Sequence, residues 1–189
     1  MAKITHAKKF GELPAPRHNA VMDEIEGESQ TDRGVAIIGA AYVDIVLRDA
    51  IAARLLRDDE LMTLLFENRG PLQDFGSRIH MAFALGVCGP AARNDLRTIK
   101  TIRNAFAHSA EAMDFHNQEV AQLCDTLWYP RTISVKNRPD PRTPREQYTR
   151  AIMLLTELFH HDLMLRQQGL PSEPLIMAPG PFARKAAKK

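Results

Sequence analysis

The chain has 189 residues, 44% of them hydrophobic and 25% charged, with a formal net charge of +2. That length suits one domain with a substantial core, and so small a charge excludes nucleic-acid binding driven by net charge alone, leaving local clusters to carry any electrostatics. Cys88 and Cys124 stand apart and outside any Cys-x-x-Cys pair, which excludes a disulfide framework or a zinc knuckle.

The basic N-terminus is followed by no apolar stretch of the secretory kind, and no later run approaches the ~20 uncharged apolar residues of a membrane span. A cytoplasmic protein without membrane partners is expected. Residues 1–31 mix Gly, Pro and charge without helical periodicity, apart from the acidic stretch Asp23 to Glu28, and read as a mobile arm. Asp32 then stands as N-cap of a long first helix, Arg33 to about Arg57, with Ile37, Ala41, Ile45 and Leu55 as its apolar positions.

A short second helix is expected over Asp59 to Glu67. Asn68-Arg69-Gly70-Pro71 reads as a stop, a turn and a restart, opening a third helix from Leu72 to Leu85 on the face Leu72, Phe75, Ile79, Ala82, Phe83. Pro90 starts a fourth helix that ends near His108, and a weaker fifth spans Asn117 to Trp128. Pro130 to Pro144 is a long loop, made basic by Arg131, Lys136, Arg138, Arg142 and Arg145; the last helix runs from Arg145 to Gln168 around Ile152, Leu155, Leu158, Phe159 and Leu163. Residues 169–189, with Pro171, Pro174, Pro179, Pro181 and a basic end, read as an extended tail. The expectation is an all-α bundle of five to six helices over residues 32–168.

The fourth helix carries the candidate chemistry. At ~100° per residue, Arg93, Arg97, Lys100 and Asn104 share one polar stripe, which suits a phosphate backbone or plain solvent. Leu96, Ile99, Ile102 and Phe106 form the core face, and Arg103 falls at about 280° from Arg93, among them. A cation there needs a partner, with Asp44, Asp49 and Asp74 available from other helices, so a buried arginine–aspartate bridge is expected. Arg103 and His108 are a fixed cation and a titratable imidazole five residues apart, which suits phosphodiester chemistry. Their angular separation keeps them from one site unless the helix frays at Ala107 or a second subunit supplies one of them. His160-His161-Asp162 begins no complete metal site, since adjacent residues face different ways; neither metal nor cofactor is expected.

Two resemblances rest on these residues. The stretch Gly70-Pro-Leu-Gln-Asp-Phe-Gly-Ser-Arg-Ile-His-Met-Ala-Phe-Ala-Leu-Gly86, with the helix ending Ile102-Arg-Asn-Ala-Phe-Ala-His108, resembles the mannitol operon repressor family. The likeness covers roughly Val35 to His108, and Arg78, Arg103 and His108 are the matching positions. It implies an all-helical fold and a regulatory role in sugar-alcohol uptake, exercised through a protein or nucleic-acid partner. The Arg-Asn-x-x-x-His form of Arg103, Asn104 and His108 also looks like the signature of the HEPN superfamily, whose active members are metal-independent endoribonucleases with a site shared across a dimer. That likeness implies a homo-oligomer in which His108 helps deprotonate a ribose hydroxyl and Arg103 steadies the phosphate. The functional expectation is accordingly a repressor-like regulator, with a HEPN-type RNA-binding endoribonuclease and a direct operator binder as alternatives. Arg93, Arg97 and Lys100 are the candidate nucleic-acid contacts, and Arg78, Asp44 and Asp74 the supporting groups.

Overall fold

The computed structural model describes residues 15–67 and 69–168; the expected tail and the first part of the expected arm lie outside them. Eight helices and no strands are found among the described residues: α1 (Ala15–Glu26), α2 (Asp32–Ala52), α3 (Asp59–Phe66), α4 (Phe75–Ala84), α5 (Pro90–His108), α6 (Gln118–Asp125), α7 (Tyr129–Thr132) and α8 (Pro144–Gln167). The all-α bundle expected from the sequence is the observed class.

Short polar side chains start most of these helices. Thr31, Asp58, Asp74 and Asn117 each accept a backbone N–H from the first turn that follows, and Thr143 forms a reciprocal capping box with Glu146. Each satisfies donors that the helix geometry leaves free. At α5, Pro90 takes the first helical position, where its missing N–H costs nothing.

The boundaries differ from the sequence reading where tertiary partners intervene. Part of the expected arm is helix: α1 packs on α2 and α8 and buries Met22 and Ile25. Thr31, not Asp32, caps α2, because the Asp32 carboxylate is engaged elsewhere, accepting from the Phe115 amide at 2.9 Å and from Arg145 at 2.8 Å. The third expected helix begins three residues late, at Phe75, since Asp74 caps it; Leu72 stays in the turn, buried, with its N–H on Leu65 O. The fifth segment ends at Asp125, three residues early, and a further short helix, α7, follows at the start of the expected loop. The cause is Asp95, buried on α5, whose two carboxylate oxygens accept the Trp128 and Tyr129 amides at 2.9 Å and so cap a new helix.

The largest correction concerns α2. Ile37, Ala41 and Ile45, expected inside, are exposed; Val35, Ala36, Gly39, Ala40, Tyr42, Val43, Val46, Leu47, Ala50 and Ile51 are buried. A helix apolar nearly all round gives periodicity no single face to find. α2 is central, touching α8, α5, α4 and α1. It runs parallel to α8, because the two are pinned at matching ends: Asp32 to Arg145 near their starts and Arg54 to Asp162 past the end of α2. Between the pins, the Tyr148 hydroxyl donates to Ala36 O at 2.8 Å, and a Cβ on Gly39 would sit 3.2 Å from Ile152 Cγ1, so the glycine allows close approach. Phe106, Phe115 and Tyr148 continue this core as a chain of tilted rings 5.0 and 5.3 Å apart.

Arg54 and Asp162 form a two-pronged pair at 2.6 and 2.9 Å, with side chains only 7% and 4% exposed. Arg54→Ala leaves the buried Asp162 carboxylate with only Arg166, 3.5 Å away on its own helix, and should cost about 3 kcal/mol in urea unfolding. Replacing both residues by apolar ones of similar volume should restore most of that; equal loss in the single and double variants would contradict the assignment.

Candidate functional site

α5 is where the candidate residues are placed, and its regular helix through His108 removes the fraying considered from the sequence. Leu96, Ile99, Ile102 and Phe106 are buried as expected, and Ala92 with them. Arg103 is not: it is exposed, and its Nη1 donates to Asn104 Oδ1 at 2.8 Å. Its position lies at the edge of the core face, and a long side chain there carries its charge outward to water instead of burying it. The buried bridge expected for Arg103 belongs to other arginines.

One of these is Arg78 on α4, whose Nε lies 3.0 Å from Asp44 Oδ1 on α2, with side chains 12% and 20% exposed. Arg78 also donates to Gln73 O at 2.6 Å. Burial pushes the Asp44 carboxyl up to about 6, although Arg78, Arg103 and Arg48 each pull it down. Desolvation therefore outweighs three nearby cations, and the same burial lowers Arg78. Arg48, one turn further along α2, lies 3.6 Å from the buried Asp49 and keeps about a third of its own side chain in solvent, at 30%.

Asp74 holds the start of α4. Its carboxylate accepts from the Ser77 hydroxyl and amide, which keep it below the usual carboxylate range, with a smaller contribution from Lys100. The Lys100 ammonium lies over Gly76: a Cβ there would come within 2.3 Å of Nζ. Asp44, Asp74, Arg78, Lys100, Arg103 and Asn104 thus form one charged face across α2, α4 and α5, with Arg48 beside them; only Arg48 was missed in the sequence. Its signal was position, since it follows Asp44 by four residues on the helix that bears Asp44.

Other candidates are drawn apart. Arg97 is exposed, but Arg93, expected beside it in a free stripe, has its guanidinium 4.5 Å from the centre of the Phe83 ring. His108 is exposed at the last position of α5, about 140° round the helix from Arg103. Within one chain the two face different ways. Beyond it, Arg33 at the start of α2 donates to Ser109 O and Glu111 O, which clamps the following turn. Three cations of the loop region are engaged internally: Arg131 on Asp125 O, Arg138 on Glu26 and Arg145 on Asp32.

His160 packs edge-on against His18 of α1, ring centres 5.4 Å apart, and Nδ1 of His18 is 3.0 Å from the Tyr42 hydroxyl. Burial, helped by His18, lowers His160 to about 4. Among the described residues no group of three or more His, Cys, Asp or Glu is placed to hold a metal ion, and no described helix is long and apolar enough to cross a membrane.

What these features define is an all-α bundle with a central buried helix and an exposed arginine-bearing face. One solved structure of the same fold is a chain of the MtlR–HPr complex from Escherichia coli, with a TM-score of 0.56 and 17% identity over 76% of this chain and 98% of that one. At that identity the likeness concerns the fold. No family model and no curated protein matches the chain.

Two measurements check the electrostatics. Arg103→Ala should change unfolding free energy by less than about 0.5 kcal/mol, as at other exposed positions. Arg78→Ala should cost about 3 kcal/mol at pH 8 and less at pH 5, because an Asp44 stripped of its cation takes up a proton as pH falls; a loss independent of pH would count against the pair. For His160 the sign is opposite. Its depressed folded value gives stability that is present above 6.5 and lost as pH drops toward 4, so His160→Leu should flatten the acid limb of a melting-temperature profile.

Proposed function

We propose that this chain is a cytoplasmic regulatory protein of the MtlR kind, which acts by docking a protein partner and not by turning over a substrate. One observation carries the reading: the fold match spans nearly the whole of a chain taken from a complex with a protein, HPr. The resemblance of Gly70–Gly86 and Ile102–His108 to mannitol operon repressors points the same way, toward control of sugar-alcohol uptake.

The charged face suits that role. Arg103 carries its guanidinium into solvent from α5, and such a fork binds a carboxylate on a partner two bonds at a time. The endoribonuclease alternative draws on Arg103, Asn104 and His108, and needs a second copy of the chain to bring an imidazole to the arginine. The operator-binding alternative draws on Arg93, Arg97 and Lys100; Arg93 stacks on Phe83 and Lys100 sits over Gly76, which leaves Arg97 as the freest member of that row.

Titrating the full-length protein with HPr in a calorimeter should give saturable heat, and RNA incubated with the protein in chelator should stay intact. Absence of binding at saturating HPr removes the partner assignment. RNA cleavage that disappears in His108→Ala would replace the reading with the nuclease one. DNA binding that weakens steeply with salt and again in Arg93→Ala with Arg97→Ala would replace it with the operator one.

A further inference from the structure

Two imidazoles from distant parts of the chain meet where α1 packs on α2 and α8. His18 of α1 and His160 of α8 have ring centres 5.4 Å apart, with the rings at 88° to each other. Tyr42 of α2, itself buried, stands beside both, its hydroxyl 3.0 Å from His18 Nδ1. His160 begins no metal site along its own helix, because the residues next to it face other ways. Its partner lies on another helix, out of reach of any spacing rule.

Three features of this trio match what a metal ion requires of histidine. Two imidazoles that share a tetrahedral ion through nitrogen bonds of about 2.0–2.1 Å have ring centres about 5 Å apart, close to the separation found. A ligating histidine donates its other ring N–H to an oxygen, which fixes ring and tautomer. With Nδ1 donating to the Tyr42 hydroxyl, His18 keeps its Nε2 lone pair for a ligand. His160 Nε2 is shielded from solvent and has no hydrogen-bond partner among the described residues, so the fold leaves that nitrogen unused. Only an unprotonated imidazole binds metal, and burial with His18 alongside holds His160 at about 4, neutral at physiological pH.

Two protein donors are in place, and water would complete the coordination. Glu157 stands one turn before His160 on α8, exposed and in no ion pair among the described residues, and Glu-x-x-His is a spacing by which one helix gives an acid and an imidazole to one ion. It joins the pair only by turning its side chain inward, since no three such groups are gathered among the described residues. Imidazole donors select zinc, nickel or copper over magnesium or calcium, which take oxygen. α1 is the element with most to gain, because its hold on the bundle rests on buried Met22 and Ile25 and on Glu26 with Arg138. We propose that His18 and His160 form a two-imidazole site for a late divalent transition-metal ion such as zinc, and that the ion fastens α1 to α8.

The test uses the full-length protein, dialysed against chelator and then titrated with zinc, nickel, copper or magnesium. The melting temperature should rise by roughly 5 °C or more once zinc is about a hundredfold above its dissociation constant, and magnesium should leave it unchanged. The rise should vanish in His18→Gln and in His160→Gln and persist in His116→Gln and His161→Gln, which alter exposed histidines. Melting of all four variants in chelator shows that each is folded. Copper bound one to one should give a paramagnetic resonance spectrum with two imidazole nitrogens in the parent and one in either site variant. Hydrogen exchange of residues 15–26 should slow on addition of zinc. No rise with zinc, nickel or copper, an equal rise with magnesium, or a rise that survives His18→Gln or His160→Gln overturns the site. Zinc binding that leaves exchange in α1 unchanged overturns the fastening.

Discussion

The parallel pairing of α2 with α8 is the constraint on which the remaining structure depends. Two helices far apart in sequence are held in register at one end by Asp32 with Arg145 and at the other by Arg54 with Asp162. A buried ion pair adds little net stability over an apolar pair of equal size, because desolvating two charges offsets most of their attraction. Its effect here is on register: sliding either helix by one turn would leave the Arg54 guanidinium, only 7% exposed, without its carboxylate. Glycine at position 39 and the Tyr148 hydroxyl on Ala36 O then set the distance between the pins.

With α2 surrounded by α8, α5, α4 and α1, only one sector of it reaches water. That sector holds Ile37, Ala41, Ile45 and Asp44, and the packing of α4 and α5 brings Arg78, Lys100 and Arg103 to its border. The charged face is therefore a consequence of how the bundle closes. Asp44 is buried enough for its carboxyl to rise despite three arginines, and Arg78 is the group that keeps an ionised form there tolerable.

Much of this was legible beforehand. The helical class, the extent of α5 and the inward residues of α5 and α8 follow from spacing and from caps such as Pro90. The charged cluster was half legible: Arg78, Asp44, Asp74, Lys100, Arg103 and Asn104 were all named from the sequence and stand on one face, but the buried bridge was given to Arg103 and belongs to Arg78. Helical angle put Arg103 at the core edge and could not say whether its long side chain turns inward or out. Asp95 and Asp162 hold α7 and the end of α2 through a backbone and a guanidinium group many residues away, pairings that no local pattern announces.

By itself the sequence determined what depends on neighbours within a turn or two: which segments are helical, where most of them start, and which faces of α5 and α8 are apolar. Only the tertiary structure decided which side of α2 faces water, which carboxylate meets which arginine, and that α5 stays regular through His108 instead of fraying. The physical reason is range. Helix propensity and capping act over three or four residues, whereas burial of an almost uniformly apolar helix and the pairing of charges on separate helices are settled by whatever the closed bundle places beside them.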